Sequence, residues 1–74
     1  MSPDKLVYMA NQIGKFFAHE GEEKGAVDTA THIRKFWDPR MRSAIFAHLD
    51  QGGGGLDPIP LKALRQLQAA AAPH

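Results

Sequence analysis

Cysteine is absent from this chain of 74 residues, so no disulfide braces the fold, and neither a Cys-built zinc site nor a thiolate-held cluster is available. Long apolar runs are missing as well. Asn11, Gln12, Gly14 and Lys15 interrupt the first hydrophobic segment, which predicts neither a signal peptide nor a membrane span and points to a cytoplasmic protein. No stretch alternates apolar and polar residues as a strand would, and no internal repeat is visible. Net charge is low too, at +1, whereas a general nucleic-acid binder is usually a strongly basic domain. A chain this short also lacks the means to bury much: such a core hides only about 60% of the surface of the unfolded chain. The domain is expected to reach full order with the help of a partner.

What charge there is lies unevenly. Residues 1–31 carry Lys5, Lys15 and Lys24 against Asp4, Glu20, Glu22, Glu23 and Asp28, a local balance of −2. Residues 32–49 carry Arg34, Lys35, Arg40 and Arg42 against Asp38, a balance of +3, and the remainder is neutral.

Hydrophobic spacing predicts an all-α fold, a small compact unit of three to four short helices with a Gly-rich loop before the last, forming one domain over residues 1–74. In the first helix Leu6, Met9, Ile13, Phe16 and Phe17 share a face, with Ser2-Pro3 as its start signal and Gly21 among Glu20, Glu22 and Glu23 as its end. Gly14 lies inside it, where glycine costs about 1 kcal/mol relative to alanine unless something packs against the bare backbone. A second helix is expected from about Val27 to Phe36, capped near Asp28, with Val27, Ala30, Ile33 and Phe36 or Trp37 facing inward. The residue before a proline avoids helical angles, so Asp38 should leave this helix and cap a third, running from Pro39 to about Leu49. Gln51–Gly55 reads as a mobile loop. Asp57-Pro58 repeats the start signal for a fourth helix bearing Leu61, Leu64 and Leu67, and residues 69–74 are expected to fray.

Residues 32–42, His-Ile-Arg-Lys-Phe-Trp-Asp-Pro-Arg-Met-Arg, place four cations, the sole tryptophan and an Asp-Pro break in one short stretch. Arg, Trp and Met are enriched at buried interface centres, and a guanidinium fork suits a carboxylate or a backbone carbonyl. Adjacent helical side chains point about 100° apart, so Phe36 and Trp37 cannot both face one small core. Arg34, Phe36, Trp37, Asp38, Pro39, Arg40, Met41 and Arg42 are therefore the candidate partner interface, with Trp37 expected to insert. A plainer alternative has the arginines paired with Glu20, Glu22, Glu23 or Asp38, and an internal Asp38–Arg40 clamp.

Catalytic and metal chemistry find little support. His19, His32 and His48 fall on separate segments with no ligand-type spacing, and the glutamates lie in a glycine-flanked turn where nothing tunes their acidity. The glycine run lacks the preceding strand and the Lys-Ser/Thr pair of a nucleotide loop. No catalytic, cofactor-binding or metal-ligating residue is expected in this chain.

Lys5-Leu6-Val7, Met9 to Ile13, Phe16-Phe17, His32 to Arg42, and the glycine-rich passage into Leu56-Asp57-Pro58 together resemble the delta subunit of NAD-dependent formate dehydrogenase, over most of positions 5–58. The resemblance implies a non-catalytic accessory subunit that binds the large catalytic subunit and supports assembly or stability. It also implies that the molybdenum or tungsten cofactor, the iron–sulfur clusters and the flavin (FMN) belong to partner subunits, with neither nucleic acid nor membrane as a partner. A second class of function is a small helix–turn–helix regulator that binds nucleic acid with strong salt dependence; the acidic first half opposes it.

Overall fold

A computed structural model describes residues 2–71. Four α-helices account for nearly all of them: α1 (Pro3–Phe17), α2 (Glu22–Phe36), α3 (Pro39–Asp50) and α4 (Pro58–Ala71), with a 3₁₀ turn at Ala18–Glu20 between the first two. Among the described residues there is no strand.

Three of the helices begin at an X-Pro step. The Ser2 hydroxyl accepts from the Lys5 N–H, and the Asp38 carboxylate accepts from the Met41 N–H at 2.9 Å. The Asp57 carbonyl accepts the Leu61 N–H at 2.9 Å. At each, proline takes a position whose N–H would have had no intrahelical partner.

The start of α2 lies five residues before the expected Val27. Gly21, with φ of 92°, makes the turn, and Glu22 and Glu23 occupy the first helical turn, where carboxylates favour the positive end of the helix dipole. Lys24 then bridges Glu20 at 3.3 Å and Asp28 at 2.9 Å, each four residues away. Asp28 is thus a mid-helix residue and not a cap. Val27 is exposed, and the buried face consists of Gly25, Ala26, Thr29 and Ile33.

The core gathers Leu6 and Ala10 of α1, Ile33 of α2, Ile45 and Leu49 of α3, and Leu64 and Leu67 of α4, closed by Trp37. Each large side chain removed from water stabilises by roughly 1.5–3 kcal/mol. Helix α4 packs against both α1 and α2. Two glycines permit that approach: a Cβ on Gly14 would stand 2.7 Å from the Pro60 ring, and one on Gly25 would stand 3.0 Å from the Phe17 carbonyl oxygen and 3.4 Å from Ile59.

The glycine-rich loop is held from both sides, contrary to its expected mobility. Asn11 donates to the Gly55 carbonyl at 3.0 Å and accepts the Asp57 N–H at 2.9 Å, while the His48 ring meets the Gly54 carbonyl at 2.7 Å. Gly53 is buried with φ of 65°, a backbone that other residues adopt only under strain. Helix α4 remains helical through Ala71, so the fraying expected from residue 69 does not begin there; residues 72–74 lie outside the described residues.

Candidate partner interface

The Phe36–Arg42 turn splits into two sets of side chains. Trp37 turns inward and is 5% exposed, whereas Phe36 is 70% exposed. One ring does lie outside, but it is not the tryptophan. The reason is backbone geometry: Trp37 follows the last helical residue with extended angles (φ −85°, ψ 137°), and it continues the Ala26, Ala30, Ile33 stripe at a four-residue step into the core. Inserted into its own domain, Trp37 is not available as an anchor for another. Met41 also packs against the core, and Asp38 is occupied as the α3 cap.

Arg34, Pro39 and Arg40 join Phe36 on the outside. Among the described residues no arginine forms an ion pair, so neither the Asp38–Arg40 clamp nor pairing with Glu20, Glu22 or Glu23 is present. Arg42 is half-buried beside Pro39, Ser43, Phe46 and Leu67, and its Nε is enclosed without a hydrogen-bond partner. The outward set of this turn is thus one aromatic ring, Pro39 and one guanidinium group, that of Arg40, whereas Arg34 lies on the α4 side of α2 with Val27, Thr31 and Gln66.

A larger apolar surface continues across α1 and α2. Phe16 and Tyr8 are 73% and 65% exposed. Tyr8 accepts a 2.9 Å hydrogen bond from Gln12, and Gln12 with Ile13, Phe16, Phe17 and His32 lines a cleft of about 330 Å³. The His32 ring in turn lies against Phe36, with centroids 4.7 Å apart. Tyr8, Phe16 and Phe36 therefore belong to one strip, joined through Gln12 and His32. The sequence held a signal for it: Phe16-Phe17 is a second pair of adjacent rings, subject to the same 100° separation as Phe36-Trp37.

The remaining chemistry-bearing side chains are dispersed. His19 contacts the Phe16 carbonyl, His32 stacks on Phe36, and His48 holds the glycine loop. Among the described residues, no three histidine, aspartate or glutamate side chains converge. Hydrogen bonding with the Glu20 carboxyl and with the Lys24 ammonium holds the Asp28 carboxyl below its ordinary range. Bonds to Asp28 and Glu20 raise the Lys24 ammonium in turn. These groups are exposed, so their mutual attraction amounts to a local helix brace.

The profile of the NADH-dependent formate dehydrogenase delta subunit FdsD matches residues 5–64, which takes in α1, α2, α3, the glycine loop and the first half of α4. The chain belongs to the FdsD family. No curated protein and no solved structure matches it. The FdsD match embraces the whole aromatic strip and the Phe36–Arg42 turn, so both lie within the portion shared with the family. Among the described residues, no helix is long and apolar enough to cross a membrane.

Proposed function

We propose that this FdsD-family chain is a non-catalytic small subunit of a cytoplasmic formate dehydrogenase complex, bound to the large catalytic subunit and supporting assembly or stability. Formate oxidation and NAD reduction are the work of the other subunits, which hold the molybdenum or tungsten cofactor, the iron–sulfur clusters and FMN. The observation that carries the binding role is the exposure of Phe16 and Phe36, each more than two-thirds open to solvent on a domain with little core to spare. Large aromatics concentrated on one face mark a surface that a partner covers. Arg40, exposed in the same turn as Phe36, supplies a fork for a carboxylate or carbonyl.

Co-expression of the other subunits with and without this chain tests the proposal. Omitting it should lower the yield or thermal half-life of the assembled complex while leaving formate-dependent NAD reduction per assembled complex unchanged. Full assembly with an impaired turnover rate would contradict an accessory role.

A further inference from the structure

We infer that the two clefts flanking the C-terminal turns of α4 form a docking site for a partner-subunit segment that carries carboxylates beside small apolar side chains, an inference that rests on the accessory-subunit reading. One cleft, of about 200 Å³, lies between α2 and α4 and is lined by Val27, Ala30, Arg34, Leu67 and Ala70 among others. The other, of about 180 Å³, lies between α3 and α4, with Arg42, Phe46, Leu67 and Ala71 in its walls. Leu67 is common to both, so they meet across the end of α4, where Ala70 and Ala71 form an exposed ridge between them.

The linings decide the chemistry of the occupant. Among the described residues, Arg34 is the one charged residue lining the first cleft and Arg42 the one charged residue lining the second. Two other clefts carry both signs, Lys15 with Glu22 and Asp57 in one, Lys62 and Arg65 with Glu22 in the other. Neither Arg34 nor Arg42 forms an ion pair among the described residues. Arg42 is half-buried with its Nε enclosed and lacking an acceptor, so packing and not a carboxylate holds it in place. The neighbouring charges do not cancel the two arginines. Asp28 is bridged by Lys24, Asp38 caps α3, and Asp50 accepts from Gln68 at 2.9 Å. Even at full charge these three acids are matched by Lys24, Lys35 and Arg40, and Glu20 stands at the opposite end of α2, which leaves the cleft guanidinium groups in excess. Apolar clefts that each hold an unpaired guanidinium fit apolar side chains interspersed with Asp or Glu, since the planar fork takes a carboxylate through two hydrogen bonds. A second copy is a poor occupant, because a two-fold contact would pair this patch with itself and set arginine toward arginine. Nucleic acid fits less well, because its binders are strongly basic domains and this chain carries +1 overall.

The test is retention of tagged chain on the co-expressed formate dehydrogenase complex, compared among wild type, Arg34→Glu, Arg34→Lys, Arg42→Gln and Arg65→Glu, the last an exposed arginine of α4 that lines neither cleft. Circular dichroism and the melting temperature of each purified chain separate loss of fold from loss of binding. Arg34→Glu, at an exposed position, should bind about tenfold or more weakly, because it sets like charges against each other in the contact. Arg42→Gln should weaken binding as well, Arg34→Lys should lose less than Arg34→Glu, and Arg65→Glu should bind as wild type. Retention of Arg34→Glu and Arg42→Gln at wild-type strength overturns the site and leaves the accessory role standing. An equal loss in Arg65→Glu also overturns it, by reducing the effect to overall charge. Failure of wild type to bind overturns both readings. A dimer of the isolated chain, or binding of duplex DNA or RNA by it, that Arg34→Glu abolishes would overturn the inference by assigning the clefts to another occupant.

Discussion

Trp37 and Phe36 are neighbours in sequence with opposite fates, and single substitutions should separate them. Trp37→Ala removes the largest side chain closing the core and should cost about 3–5 kcal/mol, enough to unfold a domain of this size. Phe36→Ala, at an exposed position, should change the stability of the isolated chain by no more than about 0.5 kcal/mol. Urea unfolding followed by circular dichroism checks both, and equal destabilisation would contradict the placement of the two rings. Gly14 gives a second residue-scale prediction. Alanine gains about 1 kcal/mol of helix propensity there, yet its Cβ would meet the rigid Pro60 ring at 2.7 Å, and overpacking costs about 1–3 kcal/mol. Gly14→Ala should therefore be net destabilising, by about 1 kcal/mol, and a raised melting temperature would show that α4 does not lie against α1 as described.

At the scale of elements, helix starts were the most legible feature. Ser2-Pro3 and Asp38-Pro39 announce themselves because proline and a capping oxygen act within a few residues of each other, and Asp57-Pro58 repeats the proline step. The start of α2 was not legible in the same way. Gly25 and the acidic run look like helix breakers in sequence, and their helical state follows from the place of Glu22 and Glu23 in the first turn of α2, the Lys24 brace, and the close approach of Phe17 and Ile59 to Gly25. The aromatic strip was half legible: Phe36 was singled out, whereas Tyr8, Gln12 and Phe16 join it only through the packing of α1 against α2, which spacing along one helix does not encode. The brace itself has a pH signature. Asp28 titrates below its ordinary range in the fold, so the brace contributes in full above that range and is lost as the pH falls through the lowered value. In an acid titration of melting temperature, Lys24→Met should melt below wild type at neutral pH and converge with it at low pH; a constant gap would contradict the ion pairing.

Across the whole molecule, one side chain ties the longest loop to the first helix. Asn11 bridges Gly55 and Asp57, some 45 residues away, and so fixes where α4 begins relative to α1. The glycines alone would leave that loop free, which is why its order was not evident from composition. Asn11→Ala removes two hydrogen bonds worth about 0.5–1.5 kcal/mol each, and should destabilise the domain by about 1–2 kcal/mol while speeding hydrogen exchange at Gly53–Leu56. Unchanged exchange would mean that the loop is held by other contacts. With its own tryptophan used internally and Phe16 and Phe36 left outside, the domain is a small scaffold whose exposed aromatic surface lies on the α1–α2 side. That division gives an accessory subunit a folded core of its own and a face to share. The measurement that tests this most directly is purification of the tagged chain from its native cells, with native mass spectrometry and formate-dependent NAD reduction on the eluate. The account predicts large formate dehydrogenase subunits in fixed ratio to the chain and activity in the same fraction; recovery of the chain alone, with no such subunits and no activity, would contradict it.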